Sequence, residues 1–390
     1  MNFKKYHSFL EEHGEEMRAI RHDIHQYPEL GLEELRTSEL VAQRLLKWGW
    51  CVERNIGQTG VVAQLKVGTG TKRLGIRADM DALPIDEQTH LPHGSKVSGV
   101  MHACGHDGHT AMLLGAAKYL AATRNFNGTL NLIFQPAEEY LGGAKHMMDD
   151  GLFKKYPCDA IFAMHNMPGF PAGTFVFRDG ATMASSDYAT IVINGSGGHG
   201  GSPHRATDPI VAAASIVMAL QTIVSRNIDP YEMAVVTVGS IHGGKASNVI
   251  PDSVTLEVSV RATSELVRQK LQERIQEIVT TQAQSYNVEG KVSYRKGYPV
   301  LNNWLEQTNF ARQLAIDMYG EQSVIAHGPG RPGSEDFAYM LEECPGAYLF
   351  IGNGLNTESP MLHNPHYDFN DAILPLGAAY WIGLAERYLG

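Results

Sequence analysis

Residues 74–81, Leu-Gly-Ile-Arg-Ala-Asp-Met-Asp, are the stretch from which the fold can be worked out. Leu74–Ala78 is an apolar run of strand length, and acidic residues follow at once. Helical periodicity then runs from about 108 to 122, and a second apolar run comes next. Strands that alternate with helices predict an α/β sheet covered on both faces. The other strand-like runs of this pattern are Val61–Val67, Thr129–Gln135, Ala160–Met164, Thr174–Phe177 and Ala347–Ile351.

The region from about 185 to 295 follows an order of its own. Its runs predict strand, helix, strand, strand, helix and strand, which is the ferredoxin-like βαββαβ unit. We therefore expect a first catalytic segment at 1–184, a satellite domain at 185–296 and a second catalytic segment at 297–390. Two helices, at about 6–26 and 32–48, precede the first strand.

The composition excludes several classes of protein. The 390 residues carry a net charge of −10, which argues against a nucleic-acid-binding surface. No apolar run approaches the roughly 18–20 residues of a membrane span, and the N-terminus lacks the apolar core of a signal peptide. Four cysteines are too few for a disulfide framework. We expect a cytoplasmic, multi-domain enzyme.

The 17 histidines cluster, most densely in Met-His-Ala-Cys-Gly-His-Asp-Gly-His at residues 101–109. Cys104 and His106 offer donors suited to a divalent transition metal. The alternative is a solvated, glycine-punctuated loop.

Ionisable residues also follow three apolar strands. Asp79 and Asp81 follow the first, Glu138 and Glu139 the second, and His165 the third. Ligands bind outside the carboxyl ends of strands in open α/β sheets. A hydrolytic metal site needs one carboxylate on the metal and another that accepts a proton from water, and adjacent glutamates can divide these roles. Adjacent glutamates are also common on solvated surfaces.

His363 lies almost two hundred residues further on and, taken alone, is either a ligand or a bystander. Five donors are too many for one tetrahedral zinc and suit two metals about 3.5–4 Å apart. The five candidate ligands are Cys104, His106, Glu139, His165 and His363.

The satellite region contains the glycine-rich stretch 195–204, with His199 at its centre. Glycine permits close backbone approach to a ligand or a second subunit, although a flexible hairpin loop fits the same pattern. Asn248 and Arg261 flank neighbouring strands. Arg261 suits an anionic substrate group or a surface salt bridge equally well.

Taken together, these motifs resemble the hippurate hydrolase branch of the dinuclear metallo-amidohydrolases, within the aminoacylase and carboxypeptidase superfamily. The resemblance covers nearly the whole chain, with the motifs in the right order. The motifs that carry it are 102–107 (His-Ala-Cys-Gly-His-Asp), 136–139 (Pro-Ala-Glu-Glu), 164–166 (Met-His-Asn), 198–204 (Gly-His-Gly-Gly-Ser-Pro-His) and 362–365 (Leu-His-Asn-Pro).

The resemblance implies a zinc-peptidase-like catalytic domain with a satellite domain that forms a homodimer. It implies the same five metal ligands, with Glu138 as general base and Asp81 as a residue that orients a ligand. His199, from the partner subunit, would stabilise the oxyanion, and Asn248 and Arg261 are candidates for the substrate carboxylate. The wider superfamily has a bridging carboxylate where this chain has Cys104, so the bridging ligand stays open.

The implied reaction is metal-dependent hydrolysis of an N-acyl amino acid, such as hippurate or an N-acetyl amino acid, to a carboxylic acid and an amino acid. The implied cofactors are two divalent ions per subunit, Mn or Zn ahead of Ni or Co. The alternatives are a metallo-dipeptidase or carboxypeptidase and, more distantly, a metal-binding protein without activity. Glu138 argues against the last, because a binder needs no general base. The preferred acyl group stays open.

Overall fold

The structure is a computed structural model, and it describes residues 4–355 and 360–390. The helices are α1 (Lys4–Gln26), α2 (Leu35–Lys47), α3 (His106–Thr123), α4 (Gly143–Asp149), α5 (Leu152–Lys155), α6 (Pro209–Asn227), α7 (Glu265–Ser285), α8 (Leu305–Tyr319), α9 (Phe337–Glu343) and α10 (Leu374–Leu389). The strands of the first half are β1 (Cys51–Ile56), β2 (Gly60–Val67), β3 (Arg73–Asp79), β4 (Gly128–Gln135), β5 (Ala160–Pro168), β6 (Phe175–Val176), β7 (Gly180–Met183) and β8 (Asp187–Asn194). Those of the second half are β9 (Gly198–His199), β10 (Ala234–Gly243), β11 (Val249–Ile250), β12 (Ser253–Ala262), β13 (Glu289–Lys296), β14 (Leu301–Asn303), β15 (Val324–Ile325) and β16 (Gly346–Gly354).

The chain divides into two compact units, and the first comprises Met1–Gly180, Asn302–Pro329 and Asp336–Gly390. Its eight-stranded sheet has the order β1-β2-β4-β3-β5-β16-β6-β15. Strands β4, β3, β5 and β16 are mutually parallel, so their carboxyl ends lie along the same edge. This sheet with its flanking helices confirms the predicted α/β class.

Helix α3 is a core helix of this unit. Its side chains are buried almost all round, from His106 to Ala117 without a break. It packs against α1 and α10, whose facing sides are also apolar. A helix enclosed in this way has little freedom to shift, because protein interiors are packed as densely as organic crystals. His106, its first residue, is therefore held rigidly at the carboxyl edge of the sheet.

The second unit comprises Ala181–Leu301 and Gly330–Glu335. Its antiparallel sheet has the order β10-β12-β8-β13, and helices α6 and α7 pack on it, which is the ferredoxin-like arrangement. The sequence prediction for the satellite was 185–296. The short segment 330–335 also belongs to this unit, because its backbone pairs with residues 182–184, and no periodicity in the sequence indicates this.

Helix α6 departs from the expectation that no apolar run approaches the length of a membrane span. Among the described residues it is the one helix long and apolar enough to cross a membrane, by length and composition only. Ala212, Ile216 and Leu220 on one of its faces are buried in the core of the second unit. A core helix of a soluble protein passes the same test of length and composition, so this finding is weak support for a membrane span.

Candidate metal centre

A glycine turn delivers the first two candidate ligands. Gly105 adopts φ +91°, and a Cβ at this position would lie 2.3 Å from Asn166 Oδ1 and 2.7 Å from Tyr367 Oη. Only glycine fits such a position without displacing its neighbours. The turn places Cys104 before α3 and makes His106 the first residue of that helix.

His106 is oriented for metal binding by Asp81. Its Nδ1 lies 3.1 Å from Asp81 Oδ1 and donates to it, while Nε2 is buried and has no hydrogen-bond partner among the described residues. The second carboxylate oxygen of Asp81 accepts the backbone N–H of Glu139 at 3.0 Å. One carboxylate thus fixes the tautomer of a histidine and the position of a second ligand, which is the usual support of metal-binding residues.

The structure brings all five predicted ligands together at the carboxyl edge of the sheet. Cys104 Sγ lies 3.3 Å from His165 Nε2, and His363 Nε2 lies 3.3 Å from Glu139 Oε1. His106 Nε2 lies 4.0 Å from the same Glu139 oxygen. Overlapping groups of donor atoms within 4.8 Å of one another are Cys104, His106 and His165; Cys104, Glu139 and His363; and His106, Glu138 and Glu139.

The protonation of these groups suits a cation. His165 donates its Nδ1 hydrogen to the carbonyl of Asn166 at 2.6 Å, which leaves the Nε2 lone pair directed at Cys104. Burial, with the nearby His109, holds the pKa of His165 well below its usual range, so the ring is neutral. Burial and the neighbouring carboxylates raise the pKa of the Cys104 thiol, so a metal that binds here displaces a proton.

These residues fit divalent metal ions on two further grounds. His106 Nε2 is a buried polar atom without a hydrogen-bond partner in the described part of the chain, and such an atom is costly unless something binds it. The donor set combines thiolate, imidazole and carboxylate, which first-row transition metals accept. Glu138 is 7% exposed and lies beside His106 and Glu139.

His363 comes from the last part of the catalytic segment and is tied to the cysteine loop. Its backbone N–H donates to the carbonyl of Ala103 at 2.8 Å, and its own backbone has φ +64°. Its side chain is 49% exposed, unlike those of the other candidate ligands. The hydrogen bond to Glu139 raises the pKa of His363.

Sequence reasoning placed Asp79 at the end of a strand but missed its partner, His109. His109 Nδ1 donates to Asp79 Oδ1 at 2.6 Å, and its Nε2 accepts the backbone N–H of Asn166 at 3.0 Å. Asp79 Oδ2 also lies 3.8 Å from His106 Nε2. Burial opposes the charged form of Asp79, but His106, Arg77 and His109 outweigh it and hold its pKa well below the usual range. The third histidine of the 101–109 motif was the available signal.

A buried cation joins the segments next to the candidate ligands His106 and His363. Arg21 of α1 is 0% exposed, and its Nη1 donates to both Asp107 and Asp368 at 3.0 Å. Its Nε donates to Asp371, and His25 donates to Asp107 at 2.8 Å. Asp107 follows His106 directly, so Arg21 joins the start of α3 to the segment that follows His363.

The three remaining predicted residues lie in the second unit. His199 pairs with Val249 in the short β9–β11 ribbon, and its Nδ1 accepts the N–H of Gly201 at 3.0 Å. The carbonyl of Asn248 accepts the N–H of Gly200 at 2.7 Å, which brings Asn248 next to the same ribbon. Arg261 on β12 donates to Ser334 Oγ at 3.1 Å.

The chain is similar to known proteins over nearly its whole length. The model of peptidase family M20/M25/M40 matches residues 75–387. A hippurate hydrolase from Campylobacter jejuni is 48% identical over 96% of this chain and 97% of its own. The IAA-amino acid hydrolase ILR1-like 2 from Arabidopsis thaliana is 41% identical over 96% of this chain and 85% of its own.

A solved structure of the same family is also similar to this chain. A dinuclear metal-binding peptidase of the M20 family from Bacillus subtilis superposes with a TM-score of 0.86 at 33% identity. The match covers 97% of this chain and 99% of that one.

Proposed function

Because the chain belongs to peptidase family M20/M25/M40 and catalyses metal-dependent hydrolysis of N-acyl amino acid amides, we propose that hippurate-like and N-acetyl amino acids are its substrates. The products are a carboxylic acid and a free amino acid. The observation that carries this proposal is the convergence of five metal-type donors, Glu139 among them, beside the adjacent Glu138.

The cofactors in this proposal are two divalent metal ions per subunit, Mn or Zn ahead of Ni or Co. The residues that would hold them are Cys104, His106, Glu139, His165 and His363. When bound, the ions polarise the substrate carbonyl and lower the pKa of water. The mixed donor set supports a transition metal and does not select one.

The chain's own residues supply proton transfer and orientation. Glu138 takes a proton from the attacking water and passes it to the leaving amine, for which its place beside His106 and Glu139 is suited. Asp81 keeps the His106 ring and the Glu139 backbone in place through its two oxygens. Glu138→Gln should retain metal and lose most turnover, and an active variant would refute the role of Glu138.

In the second unit we assign His199 to oxyanion stabilisation, supplied from the partner subunit. Its Nδ1 accepts the Gly201 N–H, so the ring hydrogen is on Nε2 and can be donated to an oxyanion. Asn248 and Arg261 are assigned to the free carboxylate of the substrate, because an amide and a guanidinium both donate hydrogen bonds to carboxylates. His199→Ala should lower kcat more than it raises KM, and Arg261→Ala should mainly raise KM.

We further propose a homodimer formed through the satellite domain. Strand β10 lies at an edge of its sheet, and the neighbouring helix α6 exposes Ile210, Val211 and Met218. An exposed strand edge beside apolar side chains favours association. Light scattering at several concentrations tests this, with Met218→Glu as a variant expected to dissociate the dimer.

A cytoplasmic location is part of the proposal, as is a lack of nucleic-acid or membrane partners. The four cysteines are free thiols, which suits a reducing compartment, and the net charge of −10 disfavours binding to nucleic acid. Fractionation of the native host, with detection of the protein by antibody, tests the location.

The deciding experiment measures amine release from a panel of acyl amino acids and dipeptides. The protein is stripped with chelator and then reloaded with Mn or Zn. Cleavage of hippurate or N-acetyl amino acids that returns with metal supports the proposal and identifies the acyl preference. Cleavage of dipeptides alone would replace it with a peptidase. Metal binding without any cleavage would point to a binding protein.

A further inference from the structure

Glu34 is a fully buried carboxyl group that none of the roles above uses. It lies immediately before α2, and its side chain makes no capping bond to that helix. Its Oε1 accepts the backbone N–H of Ala137 at 2.8 Å, and its Oε2 accepts the hydroxyl of Thr59 at 2.5 Å. The carboxyl group of an N-terminal segment thus binds the loop that carries the two active-site glutamates.

The residue that Glu34 binds has an unusual backbone. Ala137 has φ +50°, a left-handed conformation that L side chains rarely adopt. Such a conformation persists only where surrounding contacts enforce it. Besides the bond to Glu34, the Ala137 carbonyl accepts the N–H of Gly143 at 2.9 Å. A Cβ on Gly31 would lie 2.9 Å from the Ala137 Cβ, so the segment 31–34 fits closely around this turn.

Two carboxylates therefore fix the short stretch 137–139 by its backbone. Asp81 holds the N–H of Glu139, and Glu34 holds the N–H of Ala137. Glu138 lies between these two anchors. We propose that Glu34 is a positioning residue that sets the backbone turn from which Glu138 reaches the substrate. The inference rests on the proposed role of Glu138 as general base.

The charge of Glu34 is not what this role requires. Burial and the nearby Asp81 raise the pKa of Glu34 to about 7, although three hydrogen bonds oppose the shift. A neutral side chain of the same shape should therefore serve nearly as well. Glutamine can accept the Ala137 N–H with its oxygen and donate to the Thr59 hydroxyl with its nitrogen. Alanine can do neither.

The test compares Glu34→Gln, Glu34→Ala and the control Glu33→Ala in metal-loaded enzyme with hippurate as substrate. Glu33 is the exposed neighbour of Glu34. We expect Glu34→Ala to lower kcat about 10- to 100-fold with KM nearly unchanged, as is typical when the support of a site residue is lost. Glu34→Gln should stay within about 3-fold of the parent, and Glu33→Ala should match it. Equal activity of Glu34→Ala and the parent would overturn the inference.

A second readout separates positioning from a general loss of structure. Amide hydrogen exchange in the chelated protein should accelerate in peptides covering 136–144 in Glu34→Ala, and not in α3 or in Glu33→Ala. Exchange that accelerates equally throughout the first unit would refute a local role.

A double-mutant cycle with Glu138→Gln shows whether Glu34 acts through Glu138. If it does, adding Glu34→Ala to Glu138→Gln should change the residual rate less than 3-fold, because the affected group is already gone. A full, multiplicative loss would contradict the inference. An active Glu138→Gln enzyme would instead refute the proposed function, whatever Glu34 does.

Discussion

Replacing Arg21 by Met should destabilise the first unit more than any exposed charge change on the same helix. Arg21 is 0% exposed, and its guanidinium bonds to carboxylates from two separate segments. Met fills a similar volume but leaves Asp107 buried with one cation fewer. Asp107 is itself 0% exposed, so water cannot replace the lost partner.

The magnitude follows from this burial. Removing one partner of a buried ion pair costs about 3–5 kcal/mol, because the other charge is left uncompensated. For a unit of this size, each kcal/mol lowers Tm by about 2–4 °C. We therefore expect Tm to fall by about 6–20 °C. The Tm of Arg21→Lys should lie between that of the parent and that of Arg21→Met, because one ammonium group cannot reproduce the forked guanidinium that bonds to both segments.

Calorimetry of the chelated protein measures this without interference from bound metal. The matched control is Arg18→Met, one turn earlier on α1, where the side chain is 47% exposed, pairs with Glu15 and lies 3.7 Å from Asp371 at the edge of the network. That change should cost at most about 0.5 kcal/mol. If Arg21→Met and Arg18→Met shift Tm equally, the buried network does not contribute as its geometry suggests.

Three further predictions concern the same unit. Asp81→Asn should weaken metal binding about 10- to 100-fold in chelator competition, because the amide keeps only one acceptor oxygen for the two donors, His106 Nδ1–H and the Glu139 N–H. Asp107 and Glu87 outweigh burial and raise the pKa of His25 to about 9, from 6.5. Protonated His25 therefore stabilises the fold fully below pH 6.5, and this contribution is lost as the pH rises through 9. The free energy of unfolding of the chelated protein should decline between these two pH values. Gly105→Ala should lower Tm and metal content together, because its Cβ would collide with Asn166 and Tyr367.

Each of these has a clear contrary result. Unchanged metal affinity in Asp81→Asn would show that the two bonds accepted by Asp81 are not both needed for metal binding. His25→Gln should flatten the pH dependence between 6.5 and 9, and an equally steep curve would assign the effect to another group. A Gly105→Ala protein with parental Tm and metal content would mean that the neighbouring side chains move aside.

The sequence predicts the candidate site best where ionisable residues directly follow apolar strands. Parallel strands share one carboxyl edge, so polar residues after β3, β4 and β5 had to lie close together, and the structure places them so. His363 could be added because its donor type completes the set. The order of elements between 187 and 296 also predicts the ferredoxin-like sheet that the structure contains.

The supporting residues could not be predicted in the same way. Arg21 and Glu34 act through partners more than 80 residues away, and no spacing rule pairs such positions. Strand β1 was missed because its residues are mostly half-buried or exposed and show no apolar alternation. The two-residue strands of the β9–β11 ribbon are too short to carry any pattern.

The insertion of the satellite between His165 and His363 has a consequence for biosynthesis. These two proposed ligands are separated by almost two hundred residues, and ribosomes add about 5–20 residues per second. Roughly 10–40 s therefore pass between the synthesis of the fourth ligand and the fifth. During that interval the chain lacks the segment that carries the fifth proposed ligand. The proposed five-donor centre can be complete only once residue 363 has been made, and a chain terminated earlier would lack its fifth donor.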